Sequence, residues 1–221
     1  VWPGDADGSL HQRMAARLWK YVSGADAVVD LHTGSPNMLP HVVYAAGDAD
    51  AHALAAAFGT GLLLAEPAGE DAAEEWRKRG FDGKLRVAAT REGIPAITPE
   101  LAHNKQLIDD AVETGVTGLC NVLRSLDVMP GEPVENGAAR QARNHSGSVD
   151  AEASGLFHVT ADVAVGDRIA DGTTVGTVYD PGTYEPLQTV RSRRDGVVYA
   201  LTREATVQAG DRLVGIATVE D

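Results

Sequence analysis

Apolar positions recur at helical spacing through the first 126 residues and then give way, past a break rich in proline and glycine, to short β-rich runs. Ser9 stands as a cap before Leu10, Met14, Ala15, Leu18, Trp19 and Val22, which share one helical face. Residues 27–31 read as a buried strand, because small and β-branched side chains fill both faces as far as Asp30. A loop is expected over residues 33–37, a second strand over 40–45, an alanine-rich helix over 48–58 closed by Gly59, and a short buried strand over 62–64. The polar segment 66–83 predicts an exposed helix or lid-like excursion.

Residues 86–90 and 96–98 resemble two further strands around a turn at 91–95, so that Glu100 falls at a strand's carboxyl end. A long amphipathic helix is expected over 105–126, although Gly115 and Gly118 weaken the pattern. Strands alternating with helices predict a wound α/β layer over residues 1–130.

Residues 131–144 lack periodicity and read as a linker. Beyond it lies an internal echo: Val165-Gly166-Asp167-Arg168-Ile169 returns as Ala209-Gly210-Asp211-Arg212-Leu213, each after a strand that starts on glycine, at Gly155 and Gly196. The repeat predicts a small pseudo-symmetric β-barrel or sandwich over residues 145–221.

Charge narrows the partners. With 19 Lys+Arg against 32 Asp+Glu the net charge is -13, which repels nucleic acid and anionic membranes and would suit a halophile's exterior. The single Cys120 allows no internal disulfide and no thiolate cluster, which points to a reducing, cytoplasmic setting and to a packing role for the thiol. No apolar run reaches transmembrane length. The opening Val1-Trp2-Pro3-Gly4, without a methionine, reads as part of something longer.

Candidate chemistry gathers where the strand over 27–31 ends. Side chains two apart share a face of a strand, so Asp30 and His32 project together, and a carboxylate beside an imidazole fixes its tautomer or steadies a metal shell. Asn104 and Lys105 follow Glu100 closely enough to reach a substrate. His41, His52, His103, His145 and His158 read as surface or packing residues.

The ordered set Trp2-Pro3-Gly4, then Asp30-Leu31-His32-Thr33-Gly34, then Gly93-Ile94-Pro95-Ala96-Ile97-Thr98-Pro99-Glu100-Leu101, followed by the glycine-punctuated β module, resembles the succinylglutamate desuccinylase/aspartoacylase family, relatives of the zinc carboxypeptidases. The resemblance implies a zinc carboxypeptidase-like mixed sheet with helices on both faces and a small C-terminal β domain. It implies a zinc-dependent amidohydrolase that deacylates an N-acyl amino acid or similar small amide. In that reading His32 is a zinc ligand, Glu100 the general base, and Asp30 the carboxylate that orients a ligand histidine. Tyr184, between the two repeats, matches the place from which the C-terminal domain of a family member reaches the substrate.

The departures matter equally. No His-x-x-Glu precedes His32, since His11 is followed by Gln12, Arg13 and Met14. The family's Asn-Arg pair would come just before the turn at Trp2-Pro3-Gly4. The expectation is therefore a family member lacking its N-terminal segment, holding one zinc per subunit when complete and inactive as this chain alone. A non-catalytic binding or assembly protein that keeps the fold is the rival reading, and a homo-oligomer is left open. The β module also resembles biotinyl or lipoyl-like barrels, but residues 146–221 contain no lysine to carry a prosthetic group, so a lid or oligomerisation role is expected instead.

Overall fold

A computed structural model describes residues 1–34, 37–67, 81–135, 137–144 and 147–220. Helix α1 (Leu10–Val22) starts on a capping box, in which Ser9 Oγ accepts from the Gln12 N–H and Gln12 Oε1 accepts from the Ser9 N–H. Four short strands follow: β1 (Val28–Val29), β2 (His32–Gly34), β3 (Asn37–Met38) and β4 (His41–Ala45). Helix α2 (Ala49–Phe58) is capped by Asp48, which accepts from the Ala51 N–H at 2.9 Å, and it ends at Gly59 with φ 85°. Strand β5 (Leu62–Glu66), helix α3 (Leu85–Arg91), strand β6 (Ala96–His103) and helix α4 (Asp109–Ser125) complete the first part.

Strand β6 is the axis of the sheet. It pairs in parallel with β1 and β2 on one side and antiparallel with β4 on the other, and β5 continues in parallel from β4. The layers explain the residue types. Val42, Tyr44, Leu63 and Ile97 pack on one face with Leu54, Phe58 and Val122 of α2 and α4. On the other face Val43, Leu62 and Leu64 meet Tyr199, Ala200 and Ala217 from the C-terminal part, so β4 and β5 are buried on both sides. Helix α3 packs beside them through Ala89, against Val28 and Ala96.

The mixed sheet with helices on both faces is as expected, and several local expectations are corrected. Residues 86–90 are not a strand but lie in helix α3, where Arg86, Val87, Ala88 and Ala89 are buried. A short apolar run carries no periodicity that separates strand from helix, and alanine favours the helix. Strand β6 runs on to His103, which places Glu100 inside it and not at its end. Pairing with the β1 and β2 edge is interrupted at Pro99: the Asp30 N–H reaches Ile97 O at 3.0 Å, and the next ladder bond would need an N–H that proline lacks.

Residues 33–37 are not a simple loop, since they contain the end of β2 and the start of β3; residues 35–36 lie outside the described residues. The helix expected from residue 105 starts at Asp109. Of the excursion expected over 66–83, residues 68–80 also lie outside the described residues, while Glu66 is buried at the end of β5 and Phe81–Gly83 forms a 3-10 turn. The segment read as a linker contains strand β7 (Arg140–Arg143), parallel to β5. Three of its four residues are polar, so its place in the sheet comes from its neighbours' backbone groups and not from an apolar pattern.

The rest of the chain is all β: β8 (Ser148–Asp150), β9 (Gly155–Val159), β10 (Arg168–Ile169), β11 (Thr174–Tyr179), β12 (Pro186–Arg191), β13 (Gly196–Leu201), β14 (Thr206–Val207) and β15 (Arg212–Val219). Strands β12, β11, β9 and β14 form a separate antiparallel sheet. Apolar side chains including Phe157, Val178, Val198 and Ile216 form one core with residues of the larger sheet. The sequence echo is a repeated turn. Gly166 and Gly210 have φ 98° and 92°, a conformation that suits glycine. Asp167 accepts from the Ala164 N–H at 2.8 Å, and Asp211 from the Gln208 N–H at 2.7 Å. This part is joined to the first by β15 pairing with β7 and β13 pairing with β3.

Candidate active site

The register of three strands builds the site. His32 of β2 lies opposite Glu100 of β6, and Glu100 lies opposite His41 of β4 on its other side. His32 is held between two acids: Nε2 is 3.1 Å from Asp30 Oδ2, and Nδ1 is 3.5 Å from Glu100 Oε1. Asp30, His32 and Glu100 are thus brought together as the sequence suggested.

The two carboxylates set the charge of the ring. Hydrogen bonding to Asp30, then to Glu100, together with their negative charges, outweighs the cost of partial burial and raises the His32 pKa to about 10. At neutral pH the free ring is an imidazolium. Once neutral, with Asp30 holding the proton on Nε2, it turns the Nδ1 lone pair towards Glu100. Among the described residues Glu100 Oε2 is buried with no hydrogen-bond partner, so it retains acceptor capacity.

That arrangement suits His32 as a metal ligand. Among the described residues no group of three His, Cys, Asp or Glu side chains is placed to hold a metal ion, whereas a catalytic zinc takes three protein ligands. The described residues therefore offer one nitrogen donor and a base.

Asp30, His32, Thr98 and Glu100 line a cavity of about 240 Å³, together with Lys84 and Arg86 from the start of α3. Arg86 went unnoticed in the sequence because it sits in a run read as a strand; the available signal was an arginine flanked by apolar residues. It is 1 % exposed and donates from Nη2 to Glu66, while Nε and Nη1 have no partner among the described residues. Burial lowers its pKa, and the charges of Glu66 and Asp30 oppose that. Lys84 Nζ is 4.0 Å from the same Glu66 oxygen, and burial likewise lowers the lysine pKa.

Asn104 and Tyr184 are not among the residues lining this cavity. Asn104 is exposed, and its backbone N–H donates to Gly34 O at 2.8 Å. Tyr184 is exposed with φ 60° and stacks on Tyr179, with centroids 4.5 Å apart. Lys105 pairs with Glu204 of the β module at 2.7 Å.

His41 is buried, with Nδ1 2.7 Å from Leu39 O and its ring edge-on to Tyr199; burial lowers its pKa. His52 contacts Gln141 and the Tyr44 ring, and His158 is exposed. His145 lies outside the described residues.

No family model matches the chain. The N-alpha-acetyl-L-2,4-diaminobutyric acid deacetylase of Halomonas elongata is 30% identical over 230 residues, covering 99% of this chain and 64% of that protein. The chain thus spans just under two thirds of the length of this curated relative. A succinylglutamate desuccinylase/aspartoacylase structure from Rhodobacter sphaeroides matches with TM-score 0.82 and 26% identity, over 100% of this chain and 66% of that one. The apo ectoine utilization protein EutE (DoeB) of Ruegeria pomeroyi shares the fold with TM-score 0.82 at 21% identity, over 98% of this chain and 68% of that one.

Proposed function

We propose that this chain is a member of the succinylglutamate desuccinylase/aspartoacylase family and carries the catalytic base and one metal-holding histidine of an amide hydrolase that removes the acyl group from an N-acyl amino acid. The observation that carries the reading is the register-matched pair His32 and Glu100, 3.5 Å apart at the wall of a cavity.

The roles follow from the geometry. Glu100, with an acceptor oxygen to spare, takes the proton of an attacking water and delivers it to the leaving nitrogen. Asp30 holds Nε2 of His32, fixes the ring's orientation and directs Nδ1 towards the reacting centre. His32 is this chain's contribution to holding zinc, which when bound polarises the scissile carbonyl and makes water acidic.

The test, on a protein extended upstream of Val1 to include a His-x-x-Glu pair, is release of free amine from N-acetyl-L-2,4-diaminobutyrate and from N-succinyl-L-glutamate, with and without added zinc. Zinc-stimulated release that is abolished in Glu100→Gln supports the reading. No release from either compound with zinc supplied favours the rival, a binding or assembly protein on the same fold.

A further inference from the structure

Helix α4 turns one side inward and another to water. Gly115, Gly118, Asn121 and Val122 are buried, and through this side the helix packs on Phe58 of α2 and Leu101 of β6. Val112, Val116 and Leu123, four and seven residues apart, share the outer side and are each between 39 % and 57 % exposed. The chain then folds back in a Schellman turn. Asp127 has φ 56° and donates its N–H to Arg124 O at 3.0 Å, while the Val128 N–H donates to Leu123 O at 2.9 Å, so the exposed Val128 returns to the Leu123 end of the row. Aliphatic side chains kept in water along a well-formed helix carry a solvation cost that a second apolar surface relieves.

Charge selects the occupant. Asp109, Asp110 and Glu113 stand at the start of α4 and Arg124 at its end. Two copies of the helix laid antiparallel about a two-fold axis between Val116 and Leu119 bring Val112 of one copy to Leu123 of the other, and Arg124 of each to the acids of its mate. A parallel pair would set acid beside acid. Helix α1 also exposes Leu10, Met14 and Leu18, but its charged residues Arg13, Arg17 and Lys20 are all basic, so it does not match itself. We propose that the outer face of α4 is an interface at which two copies of this chain pair antiparallel through Val112, Val116 and Leu123. The contact is self-complementary, so it closes at a dimer. A net charge of -13 on each copy opposes chance association, and the match of Arg124 with the acids fixes orientation and register. The inference stands apart from the amide-hydrolase reading.

The test is sedimentation equilibrium on this chain and its variants, with circular dichroism to confirm that each variant is folded. The unaltered chain is expected to form dimers with a dissociation constant below about 100 µM. Val116→Asp places a charge in the middle of the row and is expected to weaken pairing by about tenfold or more. Arg124→Glu weakens it as well, and adding Glu113→Arg to that variant recovers it, because the two signs have changed places; loss of packing alone would not be repaired by a second charge. A chain that stays monomeric up to about 100 µM overturns the proposal. So does a dimer that survives Val116→Asp, or a charge exchange that recovers nothing. Association that grows past the dimer and is abolished by Leu18→Asp marks α1 of one copy on α4 of the next, a head-to-tail contact, and overturns it too.

Discussion

Glu100 and His32 occupy matched positions on adjacent parallel strands, with Oε1 3.5 Å from Nδ1. A contact set by register between strands is placed by the whole sheet and not by the flexibility of a loop. Glu100→Gln keeps the shape and removes the proton acceptor. On the proposed hydrolase role, amide hydrolysis by the upstream-extended protein is expected to fall by about 10²- to 10⁴-fold with little change in substrate binding, as initial rates and a binding titration will show.

Asp30 is the larger cause of the raised His32 pKa. In Asp30→Asn the ring is expected to titrate well below about 10, closer to the ordinary 6.5, as followed by NMR. The sign for stability is definite. A raised folded pKa means that His32 contributes its full stabilisation below pH 6.5 and loses it as pH rises through about 10. If His32 holds zinc as proposed, the metal would compete with the ring proton, so metal affinity should rise with pH across the same range, and this is measurable by competition with a chelator.

His41 shows the opposite linkage. Its folded pKa lies below 6.5 because it is buried, despite the Leu39 carbonyl and the charges of Glu100 and Glu66; Arg212 pushes in the same direction as burial. Its contribution to stability is present above pH 6.5 and is lost as pH falls towards the depressed folded value. Urea midpoints should therefore drop between pH 7 and pH 5, and His41→Phe should flatten that slope.

The Arg86 and Glu66 pair is buried on both sides, at 1 % and 5 % exposure. Arg86→Ala leaves the buried Glu66 carboxylate with only Lys84 among the described residues, 4.0 Å away, and is expected to cost about 3 kcal/mol in chemical denaturation, whereas Glu66→Gln/Arg86→Gln should cost clearly less.

Gly118 lies inside helix α4, where alanine would gain about 1 kcal/mol of helix propensity. A Cβ there would stand 2.5 Å from the buried Phe58 ring, closer than side chains tolerate. Gly118→Ala should therefore destabilise the protein by about 1–3 kcal/mol of overpacking, readable as a lower melting temperature. The glycine that blurred the helical pattern is what lets α2 and α4 approach.

The sequence by itself determined helices α1, α2 and α4, the buried strands β4 and β5, the twice-used Gly-Asp-Arg turn, and Asp30 beside His32, with Glu100 joined to them by the family resemblance. Each is a local signal: a periodicity, a cap, a glycine, or a motif in order. Only the tertiary structure decided the rest. Residues 85–91 are helical because Val87, Ala88 and Ala89 find a core there, and no short apolar run reveals its period in advance. Arg140–Arg143 is a strand because β5 and β15 supply hydrogen bonds on both sides. Arg86 and Glu66, 20 positions apart, became a buried ion pair in the cavity wall because folding of β5 and α3 removed both from water. Pairings of that kind depend on which surfaces are shut away from solvent, and that is a property of the assembled layers, not of any stretch of chain.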